Sequence, residues 1–141
     1  MKTMVVAVSS ILLFITAAGG QTAVDLAKKY RHHEVYDLAP GVQMTPKFDS
    51  TGTVCEMQVE QAHFLKKGIA FSSRIDEREG FSIIDDLVPV TDRGPKLNTY
   101  EECMGICQTT HEYSKVVISV SVLSDGDTRL ITIKWRNRTC S

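Results

Sequence analysis

VVISVSVLSDGDTRLITIKW, residues 116–135, is the stretch whose reading decides the architecture of this chain. Val116, Ile118, Val120 and Val122 recur every second residue, Ser124-Asp125-Gly126-Asp127 supplies turn chemistry, and Ile131, Ile133 and Trp135 recur every second residue on the return. Period-two patterning places successive side chains on opposite faces, so this segment predicts a β-hairpin over about residues 115–137 with one buried face. Val120 and Trp135 are expected on that face.

Working outward, the same pattern occurs earlier. Val42, Met44 and Phe48 precede the turn Asp49-Ser50-Thr51-Gly52, and Cys55, Met57 and Val59 follow it. A second hairpin is therefore expected over about residues 41–60. Pro46 has no N–H to give to a ladder, so its strand is expected at an edge or with a bulge there. Between the hairpins, Ser73 with Asp76 reads as a capping box opening a short helix that Gly80 interrupts. Phe81–Val88 reads as a second short helix stopped by Pro89, with strand as the alternative. Thr99 and Glu102 form another capping signature ahead of Cys103-Met104-Gly105-Ile106-Cys107, which predicts a helix carrying both cysteines on one face. The expected fold is α+β: an antiparallel sheet built from the two hairpins, with the short helices packed on one face.

The strand, turn and strand around Asp49–Gly52 resembles part of the C-terminal domain of energy-transducing periplasmic proteins of the TonB type. The likeness covers that hairpin alone and carries no function across.

The chain opens with Met1-Lys2, an apolar run from Val5 to Ala18, and then the small residues Ala17, Ala18, Gly19 and Gly20. This order of charge, apolar stretch and small residues marks a cleavable signal peptide over residues 1–20. The run falls short of the roughly 18 to 20 residues that span a bilayer. Cleavage before Gly20 or Gln21 leaves a single small exported domain over residues 21–141, with no membrane span. Lys2 is the one charge removed, so 16 basic and 17 acidic residues become 15 and 17, a net charge of −2. A nucleic-acid partner is excluded on that balance, because such proteins neutralise phosphates with a basic excess. The basic stretch Lys28–His33 (KKYRHH) reads as a solvated helix end, and His32 and His33 as a surface pair.

All four cysteines, Cys55, Cys103, Cys107 and Cys140, lie in the mature part. An even count in an oxidising compartment reads as disulfides. With both CMGIC cysteines on a helix face, each is expected to pair outward, one with Cys55 and one with Cys140. No zinc set is evident, since Cys103-x3-Cys107 lacks a matching Cys or His pair at short range. The thioredoxin type of redox site uses a two-residue spacer after a strand, which CMGIC does not follow. Asp76, Glu77, Glu79, Asp85, Asp86 and Asp92 show none of the alternate-position register of a calcium loop and read as a solvated face. Asn137-Arg138-Thr139 is a glycosylation sequon, usable only in a eukaryotic secretory pathway.

No catalytic set, metal site or cofactor motif is assigned from the sequence. The expectation is a small non-enzymatic binding or structural protein, exported to the periplasm or the extracellular space. The alternative is an exported enzyme, either a thiol oxidoreductase or a hydrolase whose site gathers dispersed residues such as His63, His111 or the acidic cluster.

Overall fold

Each strand of the last hairpin has a second neighbour, and the result is a seven-stranded antiparallel sheet. The computed structural model describes residues 21, 22, 24–26, 35–61, 63–66, 69–72, 75–124 and 126–141. The strands are β1 (Tyr36–Ala39), β2 (Val42–Phe48), β3 (Val54–Gln61), β4 (His63–Lys66), β5 (Ile69–Ser72), β6 (Lys96–Met104), β7 (Ile106–Tyr113), β8 (Val116–Val122) and β9 (Thr128–Trp135). The large sheet runs β1-β2-β3-β9-β8-β7-β6, and β4 pairs with β5 in a separate ribbon. The residues predicted to form the signal peptide lie outside the described residues.

Register explains why the alternation was so clear. Ile118 stands opposite Ile133 and Val120 opposite Ile131. Ile133 and Ile131 in turn face Met57 and Val59 of β3, and Val59 faces Met44 of β2. These side chains are buried and form one layer of the core. The opposite face of the sheet carries Thr45, Gln58, Thr132, Ser119, Thr110 and Tyr100 in one cross-strand row. One face apolar and one polar is the ordinary economy of an antiparallel sheet. Pro46 sits in β2 with β1 on one side and β3 on the other; β1, however, spans only Tyr36–Ala39 and pairs no further than Met44, so the missing N–H of Pro46 costs no ladder bond to it. The register shift falls next to it, between Lys47 and Phe48.

The apolar face is covered by α1 (Glu77–Leu87), followed by the single turn α2 (Val90–Arg93). Asp76 caps α1, its carboxylate accepting the Glu79 N–H at 2.7 Å. This corrects the expectation of two short pieces broken at Gly80. Gly80 is buried inside one continuous helix, and a Cβ there would sit 3.3 Å from Thr128 Oγ1 of β9. The missing side chain lets α1 lie close on the sheet, with Ile84 and Leu87 buried beside it.

The larger correction concerns residues 96–113. The predicted helix over CMGIC is a hairpin, β6 paired with β7, with Cys103 opposite Cys107 and Met104 opposite Ile106. Gly105 turns the chain at φ 79°, a left-handed conformation that interrupts any helix. Thr99, Thr109 and Thr110 are β-branched and gain cross-strand partners. The sheet therefore has seven strands where two hairpins were expected, and it is mainly β.

Trp135 lies on the expected face of the hairpin, opposite the buried Val116. Val120 is buried, and Trp135 is partly buried against the core, with the Arg138 guanidinium 5.3 Å from its ring centre. Trp135→Ala should cost about 2 kcal/mol, below the range for a fully enclosed aromatic. Urea unfolding measures this, and a loss above about 3 kcal/mol would mean the indole carries a full core load.

Candidate functional site

The four cysteines form two bridges of unlike character. Cys55, buried in β3, is joined to Cys140 with Cα atoms 5.5 Å apart across a separation of 85 residues. The tail that this bridge tethers is held further by the Arg138 guanidinium, which donates to the Val54 carbonyl at 2.6 Å, and by the Ser141 N–H, which donates to the Phe48 carbonyl at 3.2 Å. Cys103 is joined to Cys107 across the β6–β7 hairpin, four residues apart. The expected pairing of both CMGIC cysteines outward is thus overturned. On a strand hairpin the two side chains meet each other, whereas on a helix they would have aimed along the axis.

The local bridge sits at the end of a strand exposed along its whole length. All nine residues of β6 are exposed, Met104 at 95% and Leu97 at 60%. The Cys103 and Cys107 Cα atoms are 4.1 Å apart. That spacing marks a pair whose backbone groups do not bond each other, since bonded pairs lie near 5.5 Å. Counting back by twos, the N–H and C=O of Cys103, Glu101 and Thr99 all point away from β7. Among the described residues no strand lies on that outer side, where the Thr99 N–H donates to the Asn98 Oδ1 at 2.9 Å. Beyond it, Asn98 and Lys96 are separated by a register shift at Leu97. The hairpin is thus a rigid, stapled edge with a methionine at its tip.

Two neighbours position this edge. Gly94 leads from α2 into β6 at φ 74°, ψ −176°, a region essentially reserved for glycine. A Cβ there would also overlap Ser114 Oγ. Gly94→Ala should cost about 1 to 3 kcal/mol from the backbone strain. Adding Ser114→Ala should restore only the part due to overlap, and full restoration in thermal melts would mean the backbone is not strained. The second neighbour is His111 of β7, whose Nδ1 lies 3.2 Å from Thr99 Oγ1 of β6 and whose ring centre lies 6.2 Å from that of Phe81 on α1.

Burial holds the His111 imidazole below its usual pKa, and the positive charges of Lys96 and Arg93 push the same way. The folded state therefore resists a proton that the unfolded chain accepts. Stability is full above the ordinary histidine value near 6.5 and falls as pH drops through it. His111→Gln should flatten that limb of the stability curve between neutral pH and the carboxylate range. An unchanged slope would show that His111 is not the titrating group.

The enzyme readings fare differently against this geometry. For a hydrolase built on His111, the nearest cysteine along β7, Cys107, is four residues away, roughly 13 Å, and is bonded to Cys103. Glu101, Cys103 and Cys107 bring three ligand atoms within 4.8 Å of one another, but both sulfurs are spent in the bridge. Glu101 Oε1 lies 3.7 Å from Cys103 Sγ, and a carboxylate there would disfavour a thiolate after reduction. Asp76, Glu77, Glu79 and Asp85 are spread along α1 as a cap, an exposed first turn and an ion pair with Arg93. The pocket beside α1, lined by Glu77, Gly80, Phe81, Ile84, Val120 and Thr128, encloses about 10 Å³, room for one water at most. Asn137 is exposed. The side chains of His63, His32 and His33 lie outside the described residues. Among the described residues no helix is long and apolar enough to cross a membrane.

Sequence reasoning missed β6 as an edge. The available signal was the near-palindrome C-M-G-I-C, in which cysteine and an apolar residue flank a central glycine on both sides, followed by Thr109 and Thr110. No family model, characterised protein or solved structure matches the chain.

Proposed function

We propose that this is a small exported, non-enzymatic binding domain that acts through the stapled β6–β7 hairpin. The observation that carries this reading is the exposure of all nine residues of β6, with no strand on its outer side and Met104 displayed at a tip fixed by a disulfide. Strand addition to such an edge draws affinity from main-chain hydrogen bonds and specificity from alternate side chains. Proteins that do not use an edge blunt it with a proline, a bulge or charges; β6 has no proline, and carries the bulge at Leu97 near its start and the charges Lys96, Glu101 and Glu102.

Export is supported by the leader-like residues 1–20 and by the bonding of all four cysteines, a pattern of oxidising compartments. Intact mass of the product outside the cytoplasm should show a chain starting near Gly20 or Gln21. For the binding role, a photo-reactive side chain at position 104 should give a discrete adduct in the native host, and Glu101→Pro should abolish it. The same probe at Arg78 on α1 should give none. Equal labelling from both positions, or none from 104, overturns the reading.

The exposed Cys103–Cys107 bridge is the specific feature that keeps a thiol-oxidoreductase role as the second reading. Turnover of a disulfide substrate that disappears in the Cys103→Ser variant would favour it over binding.

A further inference from the structure

We infer that the partner of β6 is a second copy of this chain, joined edge to edge about a two-fold axis through Tyr100. The inference rests on the binding role of the stapled edge and names its occupant. β6 runs from Lys96 to Met104, so its midpoint is Tyr100. Antiparallel pairing of two β6 strands about that midpoint overlaps the whole element. The outward backbone groups belong to Thr99, Glu101 and Cys103, as the 4.1 Å cysteine pair establishes. With Tyr100 on the axis, Thr99 faces Glu101 of the second copy and Glu101 faces its Thr99. Both members of each pair then present N–H and C=O to the other, which is what a ladder requires, with the Thr99 N–H exchanging its bond to Asn98 Oδ1 for one to the second copy. The symmetry is isologous: the same patch serves both copies.

Side-chain chemistry selects the same register. Tyr100 meets Tyr100 in a close, non-bonded position, where aromatic pairs stabilise a sheet. Glu102 stands opposite the second copy's Asn98, and Glu101 opposite its Thr99, so each carboxylate meets a hydrogen-bonding side chain. Moving the axis to residue 101 sets Glu101 against Glu101, and moving it to 102 sets Glu102 against Glu102; like charges directly opposed are destabilising. Moving it to 99 sets Cys103 against Pro95, which has no N–H, and carries Met104 past the end of the opposing strand. Of these registers, the one centred on Tyr100 combines full overlap, matched outward backbone groups and no like charges opposed. Because both copies spend the same β6 edge, the pairing closes at two copies.

The test uses the full mature chain. Sedimentation should show the mass doubling as concentration rises towards millimolar, and Glu101→Pro, which removes an outward N–H and no bond to β7, should hold the chain at monomer mass. Since all four native cysteines are bridged, Tyr100→Cys supplies a single thiol, and mild oxidation should convert it to a covalent dimer faster than Arg78→Cys. Tyr100→Lys should also hold the chain at monomer mass by opposing two ammonium groups. A monomer throughout with no preferential Tyr100→Cys coupling overturns the inference, as does a dimer that Glu101→Pro leaves intact. Should the position-104 probe capture a different chain while the protein stays monomeric, the second copy is ruled out and the binding role stands.

Discussion

Replacing Cys55 and Cys140 together by alanine is expected to lower stability by about 4 to 5 kcal/mol, whereas replacing Cys103 and Cys107 should cost about 2 kcal/mol. The difference follows from the length of chain each bridge closes in the unfolded state. The first spans 85 residues and the second 4, and the lost loop entropy grows with the logarithm of that length. Cys55 is also fully buried beside Val54 and Met57, and its bridge holds the tail that caps the β2–β3 end. Denaturant titrations of the two double variants measure both losses, and equal losses would refute the loop argument. The same geometry orders the response to reductant. Cys107 is half-buried and Cys103 exposed at the hairpin tip, so that bridge should open first, leaving a folded protein with two free thiols. Alkylation followed by mass analysis reads the order.

The contrast between the two bridges also shows how far the sequence could be read. Val116 to Trp135 and Val42 to Val59 announced their strands because one face of each is driven into the core, and that drive leaves a period-two trace. β6 leaves no such trace. Lys96-Leu97-Asn98-Thr99-Tyr100-Glu101-Glu102-Cys103-Met104 is exposed at every position, so neither face needs to be apolar, and the pattern of its residues reports local capping chemistry instead. Thr99 and Glu102, taken as a capping pair, are three residues apart on an extended strand and point to opposite faces; Thr99 meets His111 instead. The error in cysteine pairing descends from that one misreading. Once the segment is a strand, the bridge from Cys103 to its opposite residue follows from register alone.

For the candidate site the sequence held the parts but not their assembly. Gly105 and Gly94 were visible as glycines, yet what makes them informative is a positive φ at each end of β6. The exposure of Met104 could not be read from an apolar residue flanked by cysteines, which is as common in a core as on a surface. His111 was legible only as a lone histidine. Its neighbours Phe81, Thr99, Lys96 and Arg93 come from α1, β6 and α2, and only the fold brings them together.

Arg93→Ala is expected to cost about 3 kcal/mol and to loosen β6 from the rest of the sheet. Arg93 is the one strongly basic side chain among the described residues that is buried. Its Nε donates to the Val88 carbonyl at 2.8 Å, its Nη2 donates to Asp85, and its guanidinium lies 5.7 Å from the centre of the Tyr113 ring. It thereby ties the end of α1 to β7, and its own carbonyl accepts the Lys115 N–H at 3.1 Å just before the chain enters β6. Three losses follow truncation. The carbonyl of buried Val88 loses its side-chain donor, the long apolar stem leaves a void, and the contact with Tyr113 disappears. The Asp85 ion pair contributes least, because the Asp85 side chain is 59% exposed and screened by water. Asp85→Ala should accordingly cost under about 1 kcal/mol. Arg93→Met keeps the stem without the donors and should fall between the two, while Arg93→Lys keeps the charge but cannot reproduce the fork. Hydrogen exchange locates the effect: the Ser114 amide, which donates to the Pro95 carbonyl at 2.9 Å, should lose protection in Arg93→Ala while the β9 amides keep theirs. If Asp85→Ala proves as damaging as Arg93→Ala, the ion pair and not the Val88 carbonyl anchors the edge strand. If exchange rises evenly across the sheet, Arg93 stabilises the fold as a whole and has no special hold on β6.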